Sequence, residues 1–163
     1  MNTRDEAVQN HLLPPEYRHV VTDLEDMLSE VVDLQKDAVA LICPACTVPC
    51  CTKVNYLFCE KDILFFKLSG RKPQKRREAS KMNGCRFLGP AGCILDPESR
   101  PFSCHRYICA ALEKEIKNRK PDLLAGLKEK FKIIDELRSQ LWAEYLEERM
   151  NMTSGTSNND KPQ

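Results

Sequence analysis

All nine cysteines of this 163-residue chain fall between Cys43 and Cys109, and the 42 residues before and the 54 after contain none. The same segment is punctuated by proline at 44, 49, 73, 90, 97 and 101 and by glycine at 70, 84, 89 and 92, residues that interrupt helices and strands alike. A stretch so poor in periodic apolar residues gains too little from burial to offset the entropy of ordering it. Clustered thiols offer another source of stability, because ligation of a metal by thiolates is itself folding free energy. The odd count argues against a closed disulfide framework. So does the start of the chain, Met1-Asn2-Thr3-Arg4-Asp5-Glu6, which has no apolar stretch behind a basic head. The reading is a cytoplasmic protein, where thiols stay reduced. No apolar run approaches the roughly 18 residues of a spanning helix, so no membrane partner is expected.

The flanks are periodic where the middle is not. Over residues 16–42, Tyr17, Leu24, Val31 and Ala38 recur every seven residues, with Val20, Met27, Leu34 and Leu41 as a second row and Val21, Leu28 and Ile42 widening the stripe. This spacing predicts an amphipathic helix. Pro14 and Pro15 suit its start, and Pro44 denies it a normal continuation. Residues 122–150 place Leu127, Phe131, Ile134, Leu137, Leu141 and Tyr145 on one face, with Trp142 and Leu146 beside it, and predict a second long helix. Shorter helices are expected at 60–68 and 110–118, with a short strand at 56–58. The Ser, Thr, Asn and Gly-rich residues 151–163 read as a disordered tail. The fold class is therefore mainly α: one domain over residues 1–150, with long N- and C-terminal helices bracketing an irregular, cysteine-rich, metal-binding core that holds at most short strands. The two apolar stripes need cover, so Leu24, Leu34, Leu127, Ile134 and Leu141 are expected inside. Packing within the chain gives a monomer, and a coiled-coil seam would give a weak dimer.

Charge divides along the same boundaries. Residues 1–42 hold three basic and nine acidic groups, residues 43–109 hold twelve and five, and residues 110–163 hold ten of each. Overall neutrality, at +1, thus conceals an acidic helix and a basic cysteine segment, and basic neighbours favour deprotonated thiols. The run Arg71-Lys72-Pro73-Gln74-Lys75-Arg76-Arg77 could touch a nucleic acid. No aromatic residue interleaves its charges to stack on bases, so a solvated loop is the first reading. Walker-type loops, dinucleotide glycine fingerprints and serine-hydrolase elbows are absent from the sequence.

The thiols form two clusters. The first is Cys43-Pro44-Ala45-Cys46-Thr47-Val48-Pro49-Cys50-Cys51, whose CxxC spacing serves tetrahedral zinc and iron-sulfur sites. It would also serve a dithiol redox pair, but no βαβ pattern surrounds it and two further cysteines are superfluous to dithiol exchange. Adjacent side chains of an extended segment point apart, so Cys50 and Cys51 are expected to face different groups of ligands. The second cluster is Cys85 before Phe87-Leu88, Cys93 before Ile94-Leu95, then Arg100-Pro101 and Cys104-His105-Arg106-Tyr107-Ile108-Cys109.

In that order the motifs resemble the YkgJ-type cysteine-cluster family, whose signature is a CxxCxxCC knot, a cysteine before "FL", another before an "IY"-like pair, an Arg-Pro and a "CRxYPC"-like end. The resemblance covers Cys43 to Cys109. It departs from the pattern by one extra residue between Cys46 and Cys50, and by Leu95, His105 and Ile108 in place of Tyr, Arg and Pro. It implies a zinc- or iron-chelating domain with Cys43, Cys46, Cys50, Cys51, Cys85, Cys93, Cys104 and Cys109 as ligands, zinc being preferred over iron or an iron-sulfur cluster. Flagellin lysine methylases share the cysteine pattern, which makes an iron-sulfur enzyme acting on protein lysine the alternative to a binding module with an unknown protein partner. Cys59 falls outside the pattern and reads as a small buried side chain at the start of a short helix. His105 could replace one thiol, but a place on the surface, or behind a ligand that it supports, is the first reading.

Overall fold

The computed structural model describes residues 15–46, 58–71, 85, 87–89 and 92–155. Helix α1, Pro15–Ile42, opens on a proline whose fixed φ suits a first helical turn. It buries Tyr17, Val20, Val21, Leu24, Leu28, Val31 and Ala38 along one stripe, as the heptad spacing requires. Its last α-type hydrogen bond runs from the Cys43 amide to the Val39 carbonyl at 3.0 Å, and Pro44 has no N–H to extend the ladder.

Next come α2 (Glu60–Leu68), a two-stranded antiparallel hairpin of β1 (Leu88–Gly89) and β2 (Gly92–Cys93), a single 3-10 turn (Pro97–Ser99), α3 (Phe102–Arg106), α4 (Ala110–Arg119) and α5 (Leu123–Gly155). Gly70, at φ 67°, turns the chain out of α2 in the left-handed region that other residues enter only with strain. The short helices at 60–68 and 110–118 are present, the second one residue longer. α5 runs through residue 150 to Gly155 and so takes in the first five residues expected to be tail. Tyr56 and Leu57 of the expected strand lie outside the described residues, as do 156–163.

Packing explains why the two long helices exist at all, since neither stripe could remain in water. α1 and α5 lie antiparallel. Near one end Tyr17 donates its hydroxyl proton to Glu148 at 2.6 Å, and further along Lys130 pairs with Glu30. Leu24, Val31, Leu127 and Ile134 are wholly buried in the seam and Leu141 nearly so, while Leu34 is half-buried. α4 adds Leu112 and Ile116 to this core, and α2 adds Leu64 and Phe65. The second row of the α1 stripe outruns its cover: Leu41 is 53% exposed.

A satellite aromatic cluster holds the hairpin. Phe58 stacks edge-on against Phe66 at 5.5 Å and against Phe87 at 6.0 Å between ring centroids. β1 and β2 pair Leu88 with Cys93 and Gly89 with Gly92, and the Ile94 amide donates to the Phe87 carbonyl at 2.8 Å. The architecture is mainly helical, with strands of two residues each. None of the helices, among the described residues, is long and apolar enough to cross a membrane.

Candidate functional site

The end of α1 delivers the chain into the first cysteine pair. The Cys46 amide donates to the Cys43 carbonyl at 3.3 Å, closing a turn that brings both ends of the CxxC together. Cys43 is exposed and Cys46 half-buried. Cys50 and Cys51, with the expectation that they face apart, lie outside the described residues.

In the second cluster Cys93 is exposed on β2, and Cys85, Cys104 and Cys109 are half-buried. Cys109 caps α4: its sulfur accepts the Leu112 amide at 3.5 Å, which satisfies one of the donors that every helix N-terminus leaves over. No disulfide joins any of the seven described cysteines. Among the described residues, no group of three His, Cys, Asp or Glu side chains could hold a metal ion. Six of the eight predicted ligands are thus distributed over the end of α1, the residue three before β1, β2, α3 and the N-cap of α4, and Cys50 and Cys51 lie outside the described set.

Two residues sit differently from a first reading. His105 is buried in α3 at 5% exposure, which removes the surface reading and leaves a supporting role beside a ligand untouched. Burial pushes its imidazole down to about 4, helped by the positive charge of Arg100, while hydrogen bonds to the Arg100 and Pro97 carbonyls and the charge of Asp62 oppose the shift. The ring is neutral at neutral pH. The His105 carbonyl in turn accepts the buried side-chain amide of Gln35 at 3.0 Å, which fixes α3 against α1.

Cys59 does begin a short helix, but it is exposed rather than buried. Its position as the N-cap of α2 explains this, because a cap lies at the helix boundary. Its neighbour two positions into the helix interior beyond Glu60, Asp62, reaches back to accept the Cys59 amide at 3.0 Å, one half of a capping box.

Asp62 also anchors a buried polar cluster that has no periodic signature in the sequence. Its carboxylate pairs with Arg138 of α5, both side chains being 6% exposed, and accepts the Phe102 amide at 3.1 Å. The Arg138 guanidinium lies over the Phe102 ring at 4.6 Å and directs Nη2 at the Cys59 sulfur, 3.4 Å away. The thiol itself donates to Asp62 Oδ2 at 3.2 Å. Three helices, α2, α3 and α5, are thereby tied at one point, where every charge has a partner. Arg71 makes a second long-range link, from its Nε to Glu25 at 3.2 Å and from Nη1 to the Glu98 carbonyl at 3.1 Å. The first cation of the basic run is accordingly a structural one, and residues 72–77 lie outside the described set.

No family model, curated protein or solved structure matches this chain.

Proposed function

We propose that this is a cytoplasmic metal-chelating protein whose cysteine cluster binds zinc, or failing that iron, on a helical scaffold. The observation that carries the reading is the CxxC turn. Cys43 and Cys46 sit on one hydrogen-bonded turn, at the head of a segment to which all nine cysteines are confined. Such a turn supplies the bidentate half of a tetrahedral thiolate site. The Leu112 amide on the Cys109 sulfur adds support, because it holds that sulfur in one orientation. Cys50, Cys51, Cys85, Cys93 and Cys104 complete the proposed ligand set. A bound ion would supply charge neutralisation and cross-linking to a segment that has little hydrophobic cover.

Elemental analysis and a visible spectrum of protein purified without oxygen test the proposal. Stoichiometric zinc in a colourless sample is the expected result, with loss of metal in Cys43→Ser and Cys46→Ser. A brown, iron-containing sample would move the reading to the iron-sulfur alternative. Folded protein that takes up neither metal on reconstitution would overturn both.

A further inference from the structure

Lys128, Lys132, Asp135, Ser139, Trp142 and Leu146 follow one another along α5 at steps of three or four, so they share one side of the helix. Met150 is the next step. Over its first half this side forms one wall of a cleft of about 700 Å³, whose other wall is the corner between α3 and α4, from Arg106 to Glu113. Ile108, Leu124 and Phe131 give the cleft its apolar lining. Its remaining charges do not cancel. Glu113 is taken by Lys117 at 2.8 Å, and Asp135 lies 3.6 Å from Arg106, which leaves Lys128 and Lys132 against Glu136 alone. Over its second half the same side of α5 stands open: Leu146 is 41% and Met150 62% exposed. Charge is reversed there, since residues 143–150 hold three acids and one base. A lone exposed leucine needs no explanation. Two apolar residues on successive turns, in line with an apolar cleft of opposite charge, make a complementary pair of surfaces on one chain.

We propose that the chain pairs with a second copy of itself, α5 packing antiparallel on α5, so that Leu146 and Met150 of each copy enter the cleft of the other. Cleft and apolar turns belong to one side of one helix, so a single two-fold axis near Ser139 makes both contacts at once and the assembly closes as a dimer. Residues equally far from Ser139 on either side then meet. Leu146 falls opposite Lys132 and Met150 opposite Lys128, with the lysine stems and the lining of Ile108, Leu124 and Phe131 as apolar cover. Glu147, exposed beside Leu146, comes next to Lys132 and supplies the negative charge that the cleft lacks. Each contact occurs twice. The α1 stripe, closed within the chain, has no part in it, and neither have the thiols, so the dimer is independent of the proposed metal.

Sedimentation velocity on the full chain as purified, in reducing buffer and from about 1 to 200 µM, tests the dimer. The expected mass rises with concentration from 18.7 kDa to twice that value. A dissociation constant on the order of 10 µM fits an interface with few large anchors. Leu146→Lys, at an exposed helical position that lysine suits, should raise that constant about tenfold or more, while urea unfolding of the dilute protein stays unchanged. Lys132→Glu and Glu147→Lys should each weaken the dimer by setting like charges together, and the two combined should recover most of the loss. A mass of 18.7 kDa at every concentration overturns the proposal, and so does a dimer that Leu146→Lys leaves intact. Charge changes whose losses simply add in the combined variant overturn the antiparallel pairing.

Discussion

Removing Arg138 or Asp62 singly should destabilise the protein far more than removing both. The pair lies at 6% exposure on each side, so deleting one partner strands the other charge away from water, a loss of about 3–5 kcal/mol for a buried pair. The structure ranks the two changes. In Arg138→Met, the Asp62 carboxylate keeps the amides of Cys59 and Phe102 at 3.0 and 3.1 Å, which places the cost near the lower end, about 3 kcal/mol. In Asp62→Leu, the guanidinium retains the Phe102 ring and Asp135 at 3.7 Å, but the Phe102 amide is orphaned too. The cost moves toward about 5 kcal/mol. The double variant buries no lone charge and should lose only about 1–3 kcal/mol, for the orphaned amide. Urea unfolding followed by far-ultraviolet circular dichroism measures all four corners of the cycle. Single costs below about 1 kcal/mol, or costs that add to within about 0.5 kcal/mol, would refute the reasoning.

Other outcomes follow from the same contacts. His105 is protonated more readily unfolded than folded, so its contribution to stability is fully present above its ordinary value of 6.5 and is lost as pH falls toward about 4. Urea midpoints across that window should fall in the unaltered protein and fall less in His105→Gln. Leu127→Ala, at 0% exposure between the long helices, should cost about 2–5 kcal/mol by the same assay. Gly70→Ala forces a β-carbon into the left-handed region and should cost about 1 kcal/mol. Under the proposed function, chelation should raise protease cleavage between Cys43 and Cys109 while α1 and α5 keep much of their helical signal. Unchanged protection after complete metal removal would count against it.

Much of the scaffold was legible because its signal is periodic. Tyr17, Leu24, Val31 and Ala38 follow helical spacing and all are buried, and α2 begins and ends at the residues its apolar run and flanking glycine indicate. Leu41 obeys the same period but lies past the reach of α5 and α4, so it stays exposed; spacing says which face a residue occupies, and tertiary cover decides burial. Gln35 and Arg138 were illegible for the converse reason. Each is a polar residue in an apolar face, made tolerable by a partner 70 or 76 residues away. The end of α5 was missed because Asn151-Met152-Thr153-Ser154 has the composition of a tail while containing no residue that forbids helix. At the candidate site, the turn between Cys43 and Cys46 is local and could be read. Whether distant thiols meet depends on loop paths that no short-range rule specifies.

The antiparallel seam of α1 and α5 also sets an order of events during synthesis. Tyr17 and Glu148 meet across 131 residues, and Glu30 and Lys130 across 100. At about 5–20 residues per second, roughly 5–20 s separates the making of Glu30 from that of Lys130. Throughout that interval Leu24, Val31 and their neighbours have no α5 to cover them. All nine cysteines leave the ribosome before the helix that closes the core does. A nascent chain of this protein is therefore an acidic helix with a bare apolar stripe, trailed by a segment rich in accessible thiols. Chaperones would meet both before the finished bundle hides the stripe.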